Sequence, residues 1–421
     1  MTEKTPLTPS RIFWFWLPLA AMWLMMAIEH PMVAAVIARL PKPEPNLAIF
    51  GVTFSLALII ESPIIMLLMA GTALARGKHS YERLLCFTHI LAAGLTALHL
   101  MIGLTPLYRL IMGNLIGVPT GILEASRVTF LLMTPWTAAI AYRRLWQGVL
   151  IRFHRTGVVP LTIISRLLAG GMVLAVGLLI RRFRGADLGA IALSVGVTAA
   201  AITAYFFVRS TVHTHLSKPS SGDEPLAWGA LLEFYVPLAL TSLINLVGRP
   251  LLVMGIARAA QPLASLAVWP VIMGVLFVAR SPAFSYQEVV VALIGDKPSF
   301  EGLRRFTIGL ALALTGSFIL VILTPAARIF YQSISGLSSE LVSFVITPTL
   351  ILSVIPGMEV LISWRCGLLV YVKHTRTITQ AVGLNVVVLS TLILSAGALL
   401  PRAPGTIIAA IALTVAIAAQ W

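Results

Sequence analysis

"LPLAAMWLMMAIEHPMVAAVIAR", residues 17–39, meets a second copy of itself 219 positions later as "VPLALTSLINLVGRPLLVMGIAR", residues 236–258. Both stretches are long, apolar and interrupted by a proline at the same place, Pro31 and Pro250. Extended without a gap to Pro63 and Pro282, the two segments share 14 identities in 47 positions, the pair Ser62-Pro63 over Ser281-Pro282 among them. The same offset lays Leu104-Thr105-Pro106 over Leu323-Thr324-Pro325, Arg109 over Arg328 and Gly148 over Gly367. Shared apolar composition keeps leucines in step, but not prolines and arginines over this distance. The chain reads as an internal duplication.

Composition fixes the solvent around that duplication. Of 421 residues, 58% are hydrophobic and 11% charged, against about 25% charged in a soluble domain. Apolar runs of 18 or more residues recur, each long enough to cross about 30 Å of hydrocarbon as a helix. Twelve spans are predicted near 13–37, 47–75, 84–104, 118–141, 159–180, 187–208, 231–256, 262–294, 303–324, 341–364, 377–400 and 404–421. The fold class is an all-α polytopic membrane protein with about twelve transmembrane helices in two homologous six-helix bundles. The first bundle covers 1–208 and the second 231–421, joined by a cytoplasmic linker, residues 209–230, "RSTVHTHLSKPSSGDEPLAWGA". Six spans per copy put both copies in the bilayer with the same sense.

Charge then orients the chain. One set of alternate loops holds 17 lysines and arginines and the other 9, which by the positive-inside rule places both termini in the cytoplasm, as in a bacterial inner membrane. This distribution accounts for the net charge of +15 without a nucleic-acid partner. The N-terminus leads straight into a full span with no small-residue cleavage site. Cys86 and Cys366 read as free thiols near cytoplasmic helix ends.

Four arginines remain inside the spans: Arg127, Arg166, Arg249 and Arg280. The repeat sets His30 over Arg249, Glu61 over Arg280 and Arg166 over Asn385. At about 1.5 Å per helical residue, Glu29 is about 15 Å from the outer end marked by Arg39, and Glu61 is equally deep. Ionisable residues of spans 1, 2, 7 and 8 thus converge near mid-membrane. Each costs about 2.5–3.5 kcal/mol or more there if it faces lipid. They are expected either as inter-helix ion pairs locking the bundle, or around a wet cavity between the halves, with Glu29 or Glu61 paired to Arg249 or Arg280. Their matched positions in both halves favour the cavity. Pro31, Pro63, Pro250 and Pro282 interrupt helices beside these charges. Each frees a carbonyl, as expected of a hinge or cavity lining, although packing kinks would read the same way. Glu124 and Arg127 form a local pair by spacing, and Glu359 either lines an inner vestibule or pairs with Arg365.

Chemistry that is missing narrows the function. The chain contains no P-loop, HExxH, GxSxG or cysteine cluster, and its three aspartates, Asp187, Asp223 and Asp296, are scattered in or beside loops. The reading is therefore not an enzyme, with no cofactor and no metal; His89 and His99 lack companion ligands. What remains is a monomeric secondary transporter in a lipid bilayer with a small-molecule substrate.

The two similar six-span halves, with "LPLA" and "VPLAL" opening span 1 of each, resemble the MOP superfamily, which includes MATE multidrug exporters and lipid-linked saccharide flippases. Within it, "VPLALTSLINLVGRPLLVMGIAR" and "AVWPVIMGVLFVARSPAF" resemble the progressive-ankylosis (ANK) transporters. The resemblance implies a V-shaped efflux protein working by alternating access on an anionic small molecule, organic, phosphate-bearing or citrate-like. It makes Arg249 and Arg280 the substrate-binding residues, joined by His30, Arg166 and its repeat partner Asn385. Glu29 or Glu61 would act in coupling or gating, with protons or sodium as driving ion. The alternatives within the superfamily are a MATE-type multidrug exporter and a lipid-linked saccharide flippase.

Overall fold

The computed structural model describes residues 7–37, 39–115, 118, 120–216, 226–334, 339–399 and 402–421. They are almost wholly helical. The first copy of the repeat contains α1 (Pro9–Ile37), α2 (Pro43–Ile65), α3 (Leu67–Leu74), α4 (Lys78–Leu104), α5 (Thr120–Leu132), α6 (Thr134–Arg152), α7 (Val159–Ile180) and α8 (Gly185–His215). The second contains α9 (Trp228–Arg258), α10 (Pro262–Phe284), α11 (Tyr286–Leu293), α12 (Lys297–Leu323), α13 (Pro325–Ile329), α14 (Ser339–Ile351), α15 (Ile355–Tyr371), α16 (Thr375–Leu399) and α17 (Gly405–Gln420). Among the described residues nine helical segments are long and apolar enough to cross a membrane, and Trp228–Ile244 and Gly405–Gln420 are shorter apolar helices. The remaining expected span is the α5–α6 pair, helical on both sides of Met133 but loaded with Glu124, Arg127, Arg143, Arg144 and Arg152.

Element boundaries obey the 219-residue offset with few exceptions. The helix break at Met66 recurs at Ser285, α4 and α12 start and stop at matching positions, and so do α5 and α14. The matched helix starts have matched causes. The Ser80 hydroxyl accepts the backbone N–H of Gly77, and the Ser299 hydroxyl that of Asp296, both at 2.9 Å, which caps the first turn of α4 and of α12. Lys42 and Gln261, just before α2 and α10, both take left-handed backbone with φ of 55° and 54°. His154 and Lys373, just after α6 and α15, do the same at 58° and 63°. Such conformations are uncommon outside glycine, so their recurrence at repeat-related positions marks one loop geometry built twice.

Two compact units emerge, Met25–Tyr235, and Met1–Leu24 together with Val236–Trp421. The start of α1 thus belongs with the second copy, and the start of α9 with the first. Residues 209–215, expected in the linker, continue α8, while 217–225 lie outside the described residues.

In the first unit α6 packs on α3, α4 and α8, and α7 lies along α8. The α3–α6 crossing is close enough that a Cβ on Gly148 would sit 2.3 Å from the Leu68 carbonyl oxygen. Only a glycine allows that approach. In the second unit α15 packs on α10, α11 and α12, and Gly367 repeats the constraint: a Cβ there would lie 2.6 Å from that of Val290. The core of this unit is apolar, built on Trp269, Ile272, Leu276, Tyr331, Val345 and Ile355.

Candidate functional site

The first unit encloses a cluster of five charges. Glu29 on α1 is 5% exposed, Glu61 on α2 1%, Arg143 and Arg144 on α6 1% and 5%, and Arg166 on α7 4%. Arg166 donates from Nε to Glu29 Oε1 at 2.5 Å and from Nη2 to Glu29 Oε2, a two-pronged fork. Such a fork is the strongest geometry available to an arginine and a carboxylate. The backbone of α7 at Arg166 lies close on α8, where a Cβ on Gly196 would come within 2.9 Å of the Arg166 carbonyl oxygen. His30 follows Glu29 and packs edge-on against Phe54, ring centroids 4.2 Å apart.

Glu61, Arg143 and Gln147 are less well served. Glu61 Oε1 is enclosed without a hydrogen-bond partner, as are Arg143 Nε and Nη1. Gln147, one helical turn beyond Arg143, donates from Nε2 to Thr162 Oγ1 at 2.7 Å, while its Oε1 has no partner. Arg143, Arg144 and Arg166 all stand within Coulombic reach of Glu61. The α3–α6 glycine crossing presses the Leu145–Val149 stretch of α6, which follows the two arginines, against α3, the segment that continues α2.

In the second unit Arg280 on α10 meets Glu359 on α15 at 2.7 Å. Its guanidinium lies over the Phe284 ring at 4.9 Å, and its Nε has no partner. Repeat-related helices therefore carry charges of exchanged sign, a carboxylate on α2 and arginines on α6 against an arginine on α10 and a carboxylate on α15; Glu61 and Arg280 hold matched positions, whereas Glu359 falls on Ile140 of the first copy.

The pairings expected from the sequence change accordingly. Glu29 pairs with Arg166, inside its own unit, instead of with Arg249 or Arg280. Glu359 pairs with Arg280 instead of Arg365, whose guanidinium stacks on Trp421 at 3.6 Å. Glu124 pairs with Arg109 at 2.7 Å as well as with Arg127 at 3.8 Å. Asn385 is buried on α16 at 8% exposure. The side chains of Arg249, Pro31 and Pro250 lie outside the described residues. Arg143 and Arg144 are the residues that sequence reasoning missed, since their charge assigned them to a cytoplasmic loop. The signal was present in "LWQGVLI", residues 145–151, an apolar continuation that keeps the helix inside the bundle beyond the double arginine.

Pro63 and Pro282 carry a built-in repair. Pro63 cannot donate to the Ile59 carbonyl four residues back, and the Ser62 hydroxyl donates to it instead at 2.9 Å. Pro282 likewise orphans the Val278 carbonyl, which receives the Ser281 hydroxyl at 3.0 Å. Each proline's own carbonyl is taken by an aromatic donor, Tyr235 Oη to Pro63 at 2.6 Å and Trp16 Nε1 to Pro282 at 3.1 Å.

His89 and His99, both on α4, each have a partner within the bundle. His89 Nδ1 lies 2.8 Å from Tyr142 Oη, and His99 donates from Nε2 to the Phe130 carbonyl at 2.8 Å while stacking on the Phe130 ring. Among the described residues no group of three or more His, Cys, Asp or Glu side chains is placed to hold a metal ion.

No family model and no curated protein matches this chain. Solved structures do. A MATE transporter from Vibrio cholerae is similar at a TM-score of 0.80 and 14% identity, over 98% of this chain and 95% of that one. A MOP superfamily transporter from Pyrococcus furiosus, whose binding pocket is described as having reverse polarity, is similar at 0.78 and 13%, over 98% and 94%. An outward-facing MATE multidrug resistance transporter is similar at 0.73 and 14%, over 98% and 93%. These comparisons lend no support to the narrower resemblance to ANK transporters. With its duplicated helical bundles and full-length similarity, the chain has the all-α membrane fold of the MATE and MOP superfamily transporters.

Proposed function

We propose that this chain is a secondary-active exporter that moves a small anionic solute by alternating access, through a basic cavity in a bacterial inner membrane, as a monomer with both termini cytoplasmic. The observation that supports it most is the sign of the buried charge. The first unit holds three buried arginines against two buried glutamates, while in the second Arg280 is matched by Glu359. Positive charge in surplus inside an apolar bundle is costly unless something negative comes to meet it. In this reading Arg166 and Arg280, with Arg249, His30 and Asn385, contact the anion, and Glu29 or Glu61 couples its movement to protons or sodium. Pro31, Pro63, Pro250 and Pro282 serve as hinges. Fold similarity to multidrug MATE transporters keeps a second reading open, export of an amphipathic cation that meets the buried carboxylates; a lipid-linked saccharide flippase is the further alternative within the superfamily.

A thermal-shift screen of purified protein against phosphate, di- and tricarboxylates, cationic drugs and lipid-linked sugars tests this directly. A ligand at a hundred times its Kd stabilises the native state by about 2.7 kcal/mol. Stabilisation by anions is expected. Stabilisation by cations or lipid-linked sugars alone would replace the anion reading with one of the other two. Arg280→Ala is expected to abolish transport in proteoliposomes while folded protein is still recovered, and normal transport by that variant would remove Arg280 from the path.

A further inference from the structure

We infer that the end of α8 and the α6–α7 corner beside it form a seat for the headgroup of an anionic phospholipid, with Arg152, His154, Arg209 and His213 as its basic groups. The inference draws on the membrane fold alone and is independent of what the chain transports.

The helix α8 runs on past its expected end at residue 208, as far as His215. On one face of it Ile202, Phe206, Arg209 and His213 recur at helical spacing, and all four are exposed. An apolar stripe thus turns basic within one helical turn. Depth explains where it turns. Arg184 is the N-cap of α8, and 25 residues, about 37 Å of helix, separate it from Arg209. The hydrocarbon layer is about 30 Å thick and the whole bilayer about 40–45 Å. With an arginine at each end, Arg209 and His213 therefore stand at the level of the lipid phosphates, while Phe206, 64% exposed, still meets acyl chains. A free solute would find no use for that apolar half.

The α6–α7 corner is fastened to the same surface. Arg155 donates from Nη1 to the Phe207 carbonyl at 3.1 Å, to Ser210 Oγ at 3.3 Å and to Thr211 Oγ1 at 3.0 Å. The Phe153 ring stacks on that of His215, centroids 4.9 Å apart. These contacts commit Arg155 to the fold, but they set its neighbours Arg152 and the exposed His154 beside the basic end of α8. Neither 152–155 nor 209–215 contains an acidic residue, so these stretches have no carboxylate for the ammonium of a zwitterionic lipid and favour a headgroup of net negative charge. The positive-inside rule accounts for the sign of these residues but not for their gathering on one helix face and one corner. In the second copy Tyr371 and Val372 stand where Arg152 and Phe153 do, so the seat belongs to the first unit.

Native mass spectrometry of the full chain, delipidated in a neutral detergent and offered phosphatidylglycerol and phosphatidylcholine of equal chain length, tests this. Phosphatidylglycerol is expected to bind in preference. Arg209→Gln should weaken its binding about fivefold, the effect of one basic side chain near a lipid surface, and Arg209→Gln with Arg152→Gln about 25-fold. Arg209 is exposed, so its substitution leaves packing intact and a failure to fold cannot imitate the result. Arg209→Lys keeps the charge and should bind as the wild type does, and so should Lys373→Gln, which removes a charge at the repeat-related corner. A loss in Lys373→Gln as large as in Arg209→Gln would mean diffuse attraction by overall charge and would overturn the seat. Equal binding of phosphatidylcholine would overturn it too, as would displacement of phosphatidylglycerol by inorganic phosphate, which makes the occupant a free anion. A wild-type chain that binds no phosphatidylglycerol also overturns it; if binding then appears with Asp223→Asn and Glu224→Gln, the occupant is the chain's own linker.

Discussion

Breaking the Glu29–Arg166 fork leaves one buried charge without its two hydrogen bonds, and that asymmetry sets the expected size of the effect. Removing one partner of a buried pair costs about 3–5 kcal/mol, whereas replacing both with apolar groups of similar volume is often neutral or better. Glu29→Ala is therefore expected to lower stability by about 3–5 kcal/mol, and Glu29→Leu combined with Arg166→Met to recover most of it, as read by denaturant unfolding in detergent. Equal losses in the single and double variants would show that the pair does not hold α1 to α7. The depth of both residues was legible in the sequence. Their partnership was not, because 137 positions separate them and nothing local distinguishes Arg166 from Arg249 or Arg280 as the partner of Glu29.

At the scale of the helix, the Ser-Pro pairs separate a kink from a defect. In α2 the Ser62 hydroxyl replaces the backbone donor that Pro63 lacks, and in α10 Ser281 does the same for Pro282. Ser62→Ala should cost about 0.5–1.5 kcal/mol, the net worth of one side-chain hydrogen bond. Pro63→Ala restores the backbone donor to the Ile59 carbonyl, so in that background Ser62→Ala should cost nothing measurable. A double-mutant cycle on unfolding free energies checks this, and additive losses would mean that the hydroxyl serves another purpose. The prolines, their serines and their recurrence were all readable beforehand. What each freed carbonyl met was not, since Tyr235 and Trp16 reach Pro63 and Pro282 from 172 and 266 positions away.

For the whole molecule the consequence of buried charge, on the proposed reading, is a dependence on pH. Glu61 is surrounded by Arg143 and Arg144 of α6 and Arg166 of α7, with Glu29 and His30 of α1 beside the same cluster. Protonating Glu61 removes one negative charge, which leaves the arginines less compensated and more receptive to an anion. Anion affinity is therefore expected to rise as pH falls. Glu61→Gln should hold the protein in its low-pH behaviour, flattening the pH profile of transport in proteoliposomes. An unchanged profile would remove Glu61 from coupling and turn attention to Glu29 and His30.

The sequence by itself determined the solvent, the helices and the duplication. Each of these depends on composition or on spacing along the chain: apolar runs matched to bilayer thickness, and prolines, glycines and Ser-Pro pairs repeated at a fixed offset of 219 residues. Even the glycines of the α3–α6 and α11–α15 crossings, Gly148 and Gly367, were visible as a matched pair. Only the tertiary structure decided which charges meet. The two copies keep one backbone but not one set of charged residues, so the repeat that predicts helix positions cannot predict ion partners. Arg143 and Arg144 show the reason most plainly. Their charge alone assigns them to water, and it takes neighbouring helices, brought close by a glycine crossing, to enclose them.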